Sequence, residues 1–165
     1  MKRVIIVHGW EGYPEEGWFP WLKRELEKKG VEVLVPAMPE PSEPKIETWI
    51  PYLAETVGKP DENTYLVGHS IGCQTILRYL ENLPEGAKIG GAVLVAGFFD
   101  RLTGIKNEEE KEIAKPWLET PIDFNKVKQR SKNLIAILSD NDPFVPFEEN
   151  KNLFSEKLGA KIIVE

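Results

Sequence analysis

Short runs of β-branched and aliphatic residues recur down these 165 residues, each too apolar to alternate and too brief to be a helix. They are Val4-Ile5-Ile6-Val7, Val33-Leu34-Val35, Tyr65-Leu66-Val67, Ala92-Val93-Leu94-Val95, Leu134-Ile135-Ala136-Ile137-Leu138 and Lys161-Ile162-Ile163-Val164. Runs of this kind suit strands buried on both faces of a parallel sheet. Amphipathic helical patterns lie between them, over Trp18–Lys29, Ile46–Val57, Ile71–Leu83 and Glu148–Leu158. Strand and helix in alternation imply right-handed βαβ crossovers and an α/β fold with helices on both faces of the sheet. The length suits one domain, residues 1–165.

In open parallel sheets the chemistry sits beyond the carboxyl ends of the strands. Three loops there carry reactive residue types: His8-Gly9-Trp10 after the first run, Gly68-His69-Ser70-Ile71-Gly72 after the third, and Asp140-Asn141-Asp142 after the fifth. Pro36, Pro39, Pro41 and Pro44 make the segment after the second strand an irregular loop, because proline removes amide donors and fixes φ. The stretch from Gly97 to Pro121, with Phe98, Phe99 and Trp117 around the charge run Glu108–Glu112, reads as a lid.

Composition narrows the partners. The net charge is -6 and the charges are mixed along the chain, so no basic stripe offers itself to nucleic acid or anionic lipid. Cys73 is the single cysteine, and Met1-Lys2-Arg3 leads straight into a strand, which points to a reducing, cytoplasmic location without a signal peptide or membrane span. Two isolated histidines and one cysteine give no metal-ligand spacing, and no glycine-rich phosphate loop is present, so neither metal nor organic cofactor is expected. A monomer or weak dimer is expected.

The pentapeptide ending in Gly72 has the strand, sharp turn, helix context of a nucleophile elbow. Gly68 and Gly72 lack side chains where strand and helix come close, leaving Ser70 at a strained apex. The Ile71 amide then opens a helix and faces a developing oxyanion, aided by the helix dipole. The Trp10 amide, after His8-Gly9, is the candidate second donor. Asp142 is the candidate acid, since Asp-x-x-Val-Pro places it in the loop while Val145-Pro146 anchors the next helix; Asp140 reads as a turn residue. Residues expected to edge a substrate pocket are His69, Phe98, Phe99, Trp117 and Phe144. Cys73 reads as helix packing rather than a thiol nucleophile. In this fold the order is Ser, Asp or Glu, then His. His8 and His69 both precede or adjoin Ser70, so the base is expected beyond residue 165, on a loop and helix of about 20 to 30 residues. The same gap leaves open a non-catalytic binding protein on this fold.

Beyond these motifs, Gly17-Trp18-Phe19-Pro20-Trp21-Leu22, Met38-Pro39-Glu40-Pro41, Trp49 and Asp142-Pro143-Phe144-Val145-Pro146 run along nearly the whole chain. In these the chain resembles the small serine hydrolases of the retinoblastoma-binding protein 9 and YdeN type, compact relatives of the α/β-hydrolases. The resemblance implies a three-layer fold whose six-stranded, mostly parallel sheet has the order 2-1-3-4-5-6. It also implies Ser70 as nucleophile, Asp142 as acid, and a Gly-His-Phe-type segment beyond residue 165 with the base. Hydrolysis of small ester or acyl substrates through an acyl-Ser70 intermediate is the expected activity.

Overall fold

A computed structural model describes residues 1–165 as β1 (Arg3–Val7), α1 (Phe19–Glu27), β2 (Glu32–Leu34), α2 (Ile46–Val57), β3 (Thr64–His69), α3 (Ile71–Glu81), β4 (Gly91–Val95), α4 (Glu108–Glu119), α5 (Phe124–Arg130), β5 (Leu134–Leu138), α6 (Phe147–Leu158) and β6 (Lys161–Val164). One six-stranded sheet has the order β2-β1-β3-β4-β5-β6, and every neighbouring pair is parallel. The six apolar runs are its six strands. No helix is long and apolar enough to cross a membrane.

Parallel pairing makes the side-chain alternation sort the strands onto two unequal faces. Ile5, Val7, Leu66, Leu94, Ala136 and Leu138 point into a core of 28 buried residues shared with α2, α3, α5 and α6. The opposite face gathers only Val4, Ile6, Phe19, Val33 and Val67 into a buried cluster, under α1. Beside α1 that face stays half-open: Val93, Ile135 and Ile137, with Trp18, Trp21 and Leu22 of the α1 region, line an apolar groove of about 690 Å³. The sheet is thus fully covered on one face and partly covered on the other, a departure from two complete helical layers.

The expected lid is also different. Residues 108–119 form α4, started by the Asn107 side chain accepting from the Glu110 amide, with Glu108, Glu109 and Glu110 in the first turn where the helix dipole favours carboxylates. The charge run therefore nucleates a helix rather than a solvated loop. Asp123 caps α5 in the same way, through the Lys126 amide. Trp117 sits on the inner face of α4, edge-on to Trp49, and its indole N–H donates to the Pro44 carbonyl at 2.9 Å. Ala114 and Trp117 thus anchor the inner face of this helix to the core while its outer face stays exposed.

Candidate active site

The turn between β3 and α3 holds Ser70 at φ 56°, ψ -119°, a conformation that L-residues adopt only under constraint and that costs about 1–3 kcal/mol. Packing imposes it. The Ser70 amide donates to the Val95 carbonyl at 2.9 Å, and its carbonyl accepts from the Cys73 amide at 3.0 Å. A Cβ on Gly72 would lie 2.8 Å from the His8 carbonyl oxygen and nearer still to that of Val7, so only glycine lets α3 meet the end of β1. Gly68 is bounded as tightly, by the Cys73 amide and the Ile76 side chain. At the helix start the Ile71 amide has no backbone partner.

The loop after β1 presents a second such amide. Trp10 N–H is unbonded, while Glu11 N–H donates to Pro41 O at 2.7 Å and the Trp10 indole to Ser42 O at 3.0 Å. His8 is the hinge pin of this loop. Its Nε2 accepts from the Met38 amide at 3.0 Å, which leaves Nδ1 as the protonated nitrogen, donating to Gly9 O at 2.8 Å. Burial lowers the His8 pKa, partly offset by that Gly9 bond and by the charge of Glu16, so the ring is held neutral in the tautomer both bonds require. Gly9 abuts the elbow: its missing Cβ would meet His69 Nδ1 at 3.2 Å and Ser70 Cβ at 3.3 Å. The unbonded Ile71 amide thus follows Ser70 directly, and the unbonded Trp10 amide follows the Gly9 that abuts it.

Asp142 follows β5. Its Oδ1 accepts from the amides of Phe144 at 2.8 Å and Val145 at 3.1 Å, so the turn-capping role expected of Asp140 belongs to Asp142. The second carboxylate oxygen has no hydrogen-bond partner. The negative charge of Asp142 reaches His69. That ring is half-buried, edge-on to Trp18 and Phe19, with Nδ1 enclosed and unpartnered. Burial lowers its pKa, and Glu16 and then Asp142 pull it back up.

Ser70, His69, Trp10 and Phe144 line one cavity of about 380 Å³, completed by Gly9, Glu11, Glu16, Leu102, Ile105 and Glu110. Four of the expected residues therefore share the site. Phe98, Phe99 and Trp117 do not: they are 1–3 % exposed and belong to the main core. The reason is polar as well as apolar. Gln74 donates to the carbonyls of Phe98 and Phe99, and the Phe99 amide donates to Asn150 Oδ1, pinning that backbone beneath the cavity. Their places are taken by Leu102 and Ile105, isolated apolar residues in a polar stretch, which was the available signal in the sequence. Thr103 clips this loop to the acidic one, through N–H to Phe144 O at 2.7 Å and Oγ1 to Pro143 O at 2.8 Å. No group of histidine, cysteine, aspartate and glutamate side chains is arranged to hold a metal ion.

A parallel sheet in this order, with a strained serine between β3 and a helix N-terminus, defines an α/β-hydrolase. The serine hydrolase family model matches residues 4–165, and the chain belongs to that family. The Bacillus subtilis (strain 168) protein YdeN is 37% identical over 152 residues, 92% of this chain and 77% of YdeN. Serine hydrolase RBBP9 of Rattus norvegicus is 29% identical over 163 residues, 97% of this chain and 82% of that protein. The crystal structure of the ydeN gene product from B. subtilis superposes with a TM-score of 0.90 at 34% identity, covering 100% of this chain and 85% of that one.

Proposed function

We propose that the chain is an esterase-like serine hydrolase acting on small acyl substrates, with Ser70 as nucleophile. The observation that carries this reading is Ser70 at φ 56°, on a cavity that Trp10 also lines, with the Trp10 and Ile71 amides unbonded. Ser70 Oγ attacks the acyl carbonyl, and the oxyanion takes hydrogen bonds from Ile71 and Trp10 N–H. Collapse expels the alcohol and leaves acyl-Ser70, which water then cleaves. Preset donors at an oxyanion contribute about 10²–10³ in rate each. Asp142, already fixed by two amides through one oxygen, keeps the other for orienting an imidazolium.

An imidazole would take the Ser70 proton and return it to the departing alcohol, and neither histidine of residues 1–165 is free to be that base. His8 has both ring nitrogens committed to Met38 and Gly9, and His69 Nδ1 is enclosed against Trp18 and Phe19. Without that base the serine should retain only oxyanion-hole catalysis, some 10⁴ to 10⁶ below a complete triad. The lone cysteine, buried in α3, is consistent with a reducing cytoplasm.

Added imidazole tests the reading. Hydrolysis of p-nitrophenyl acetate in excess of the imidazole-matched blank should rise with free imidazole to a plateau, and that excess should vanish in Ser70→Ala. A rate that is the same in Ser70→Ala, or that imidazole raises no more than it raises the buffer blank, would instead favour a non-catalytic binding protein.

A further inference from the structure

The walls of the Ser70 cavity are charged with one sign. Of its ten lining residues, Glu11, Glu16 and Glu110 are carboxylates and none is lysine or arginine. None of the three makes an ion pair, nor does Asp142. Two of the three cations adjacent in sequence to lining residues are committed: Arg101 holds Glu149 through Nε at 3.1 Å, and Lys111 holds Glu108 at 3.3 Å. Lys106, beside Ile105, is exposed and absent from the lining. Glu16 is half-buried, and its field is felt by both His8 and His69.

Two sources of positive potential oppose these charges, the N-termini of α3 and α4. Each carries about half an elementary charge, and that of α4 is met by Glu108 and Glu109 besides the lining residue Glu110. The balance inside the cavity is negative. The remaining walls include Trp10, Leu102, Ile105 and Phe144, so a bound group sheds part of its water; Glu16 is half-buried, while Glu11 and Glu110 are exposed and act through a more screened field.

We infer that the Ser70 cavity selects substrates carrying a cationic group, such as an ammonium, within a few bonds of the acyl carbonyl, and rejects anionic ones. Glu16 and Glu110 are the specificity-determining residues, brought to the cavity by the loop before α1 and by the first turn of α4. The inference rests on Ser70 being the reactive serine. It names the charge class of the substrate, which the elbow alone does not.

Three fluorophosphonates of equal length, ending in trimethylammonium, tert-butyl or carboxylate, test it on the full chain by intact mass. Labelling forms an Oγ–P bond, expels fluoride and releases the hydroxyl proton to buffer. At low salt the cationic probe should label about tenfold faster than the anionic one, with the neutral probe between them. The ratio should fall toward one in 1 M NaCl and in the Glu16→Gln/Glu110→Gln double variant. Glu62→Gln/Glu85→Gln, an equal loss of charge on two exposed residues at the other end of the strands, should keep it. Equal rates, or a faster anionic probe, with Ser70 still labelled by the neutral probe would overturn the charge selection alone. A neutral probe that labels no Ser70 even with imidazole added would overturn the hydrolase reading and this inference with it.

Discussion

Replacing Gly72 by alanine sets two effects against each other with opposite signs. Gly72 is in the first turn of α3, where alanine is favoured over glycine by about 0.5–1 kcal/mol from backbone entropy. The added methyl, however, would sit 2.8 Å from His8 O, 3.0 Å from Val7 C and closer still to Val7 O. Ordinary carbon–oxygen contact needs more than 3 Å, and the obstacles are main-chain atoms of a central strand, which no rotamer change can move. Overpacking against a yielding core costs about 1–3 kcal/mol, and a rigid backbone places this site at or above the upper end. The net expectation is destabilisation by about 2–3 kcal/mol, read as a lower urea midpoint at unchanged slope. Because relief requires α3 to back away from β1, phosphonate labelling of Ser70 should fall as well. Gly17→Ala is the matched control, with φ 55° but nothing within 4 Å of its Cβ, and should lose only about 1–2 kcal/mol with labelling intact. A Gly72→Ala protein as stable as the parent, or stabilised by the helix term, would refute the close approach on which the elbow depends.

Ser70→Gly should be more stable than Ser70→Ala by about 1 kcal/mol, since relief of the strained φ exceeds the entropy cost of glycine; paired urea melts check the difference. His8→Ala should lower stability by about 2–4 kcal/mol by orphaning the buried Met38 amide and opening a void against Trp49, and its rate of imidazole-assisted ester hydrolysis should drop with it. Stability should decline as pH falls below 6.5, the ordinary histidine value, because the folded pKa values of His8 and His69 lie lower: the unfolded chain takes up protons there that the folded chain does not. The loss continues down to the folded pKa values, with a slope of up to about 1.4 kcal/mol per pH unit for each ring. His69→Gln should remove part of that slope in a series of denaturation curves at different pH.

The strands and the elbow were legible because their signals are local. Leu134–Leu138 and Lys161–Val164 need no partner to be recognised as buried strands, and Gly68-x-Ser70-x-Gly72 encodes its own turn. The helices Glu108–Glu119 and Phe124–Arg130 were not legible, since their acidic and basic residues outnumber a short apolar stripe and their starts depend on the caps Asn107 and Asp123. Phe98, Phe99 and Trp117 misled for a related reason. Aromatic residues in a polar stretch suit a pocket rim as well as a core anchor, and only the tertiary bonds to Gln74, Asn150 and Pro44 decide. The polar wall of the cavity was not legible because Glu110 joins Glu11 and Glu16 of the β1–α1 loop only in three dimensions.

The most direct test of the nucleophile is to react the protein with a neutral fluorophosphonate, digest it and locate the adduct by tandem mass spectrometry. A single phosphonylated serine at Ser70, absent from Ser70→Ala and accelerated by added imidazole, is the expected result. An adduct on another residue, or one that persists in Ser70→Ala, would contradict it.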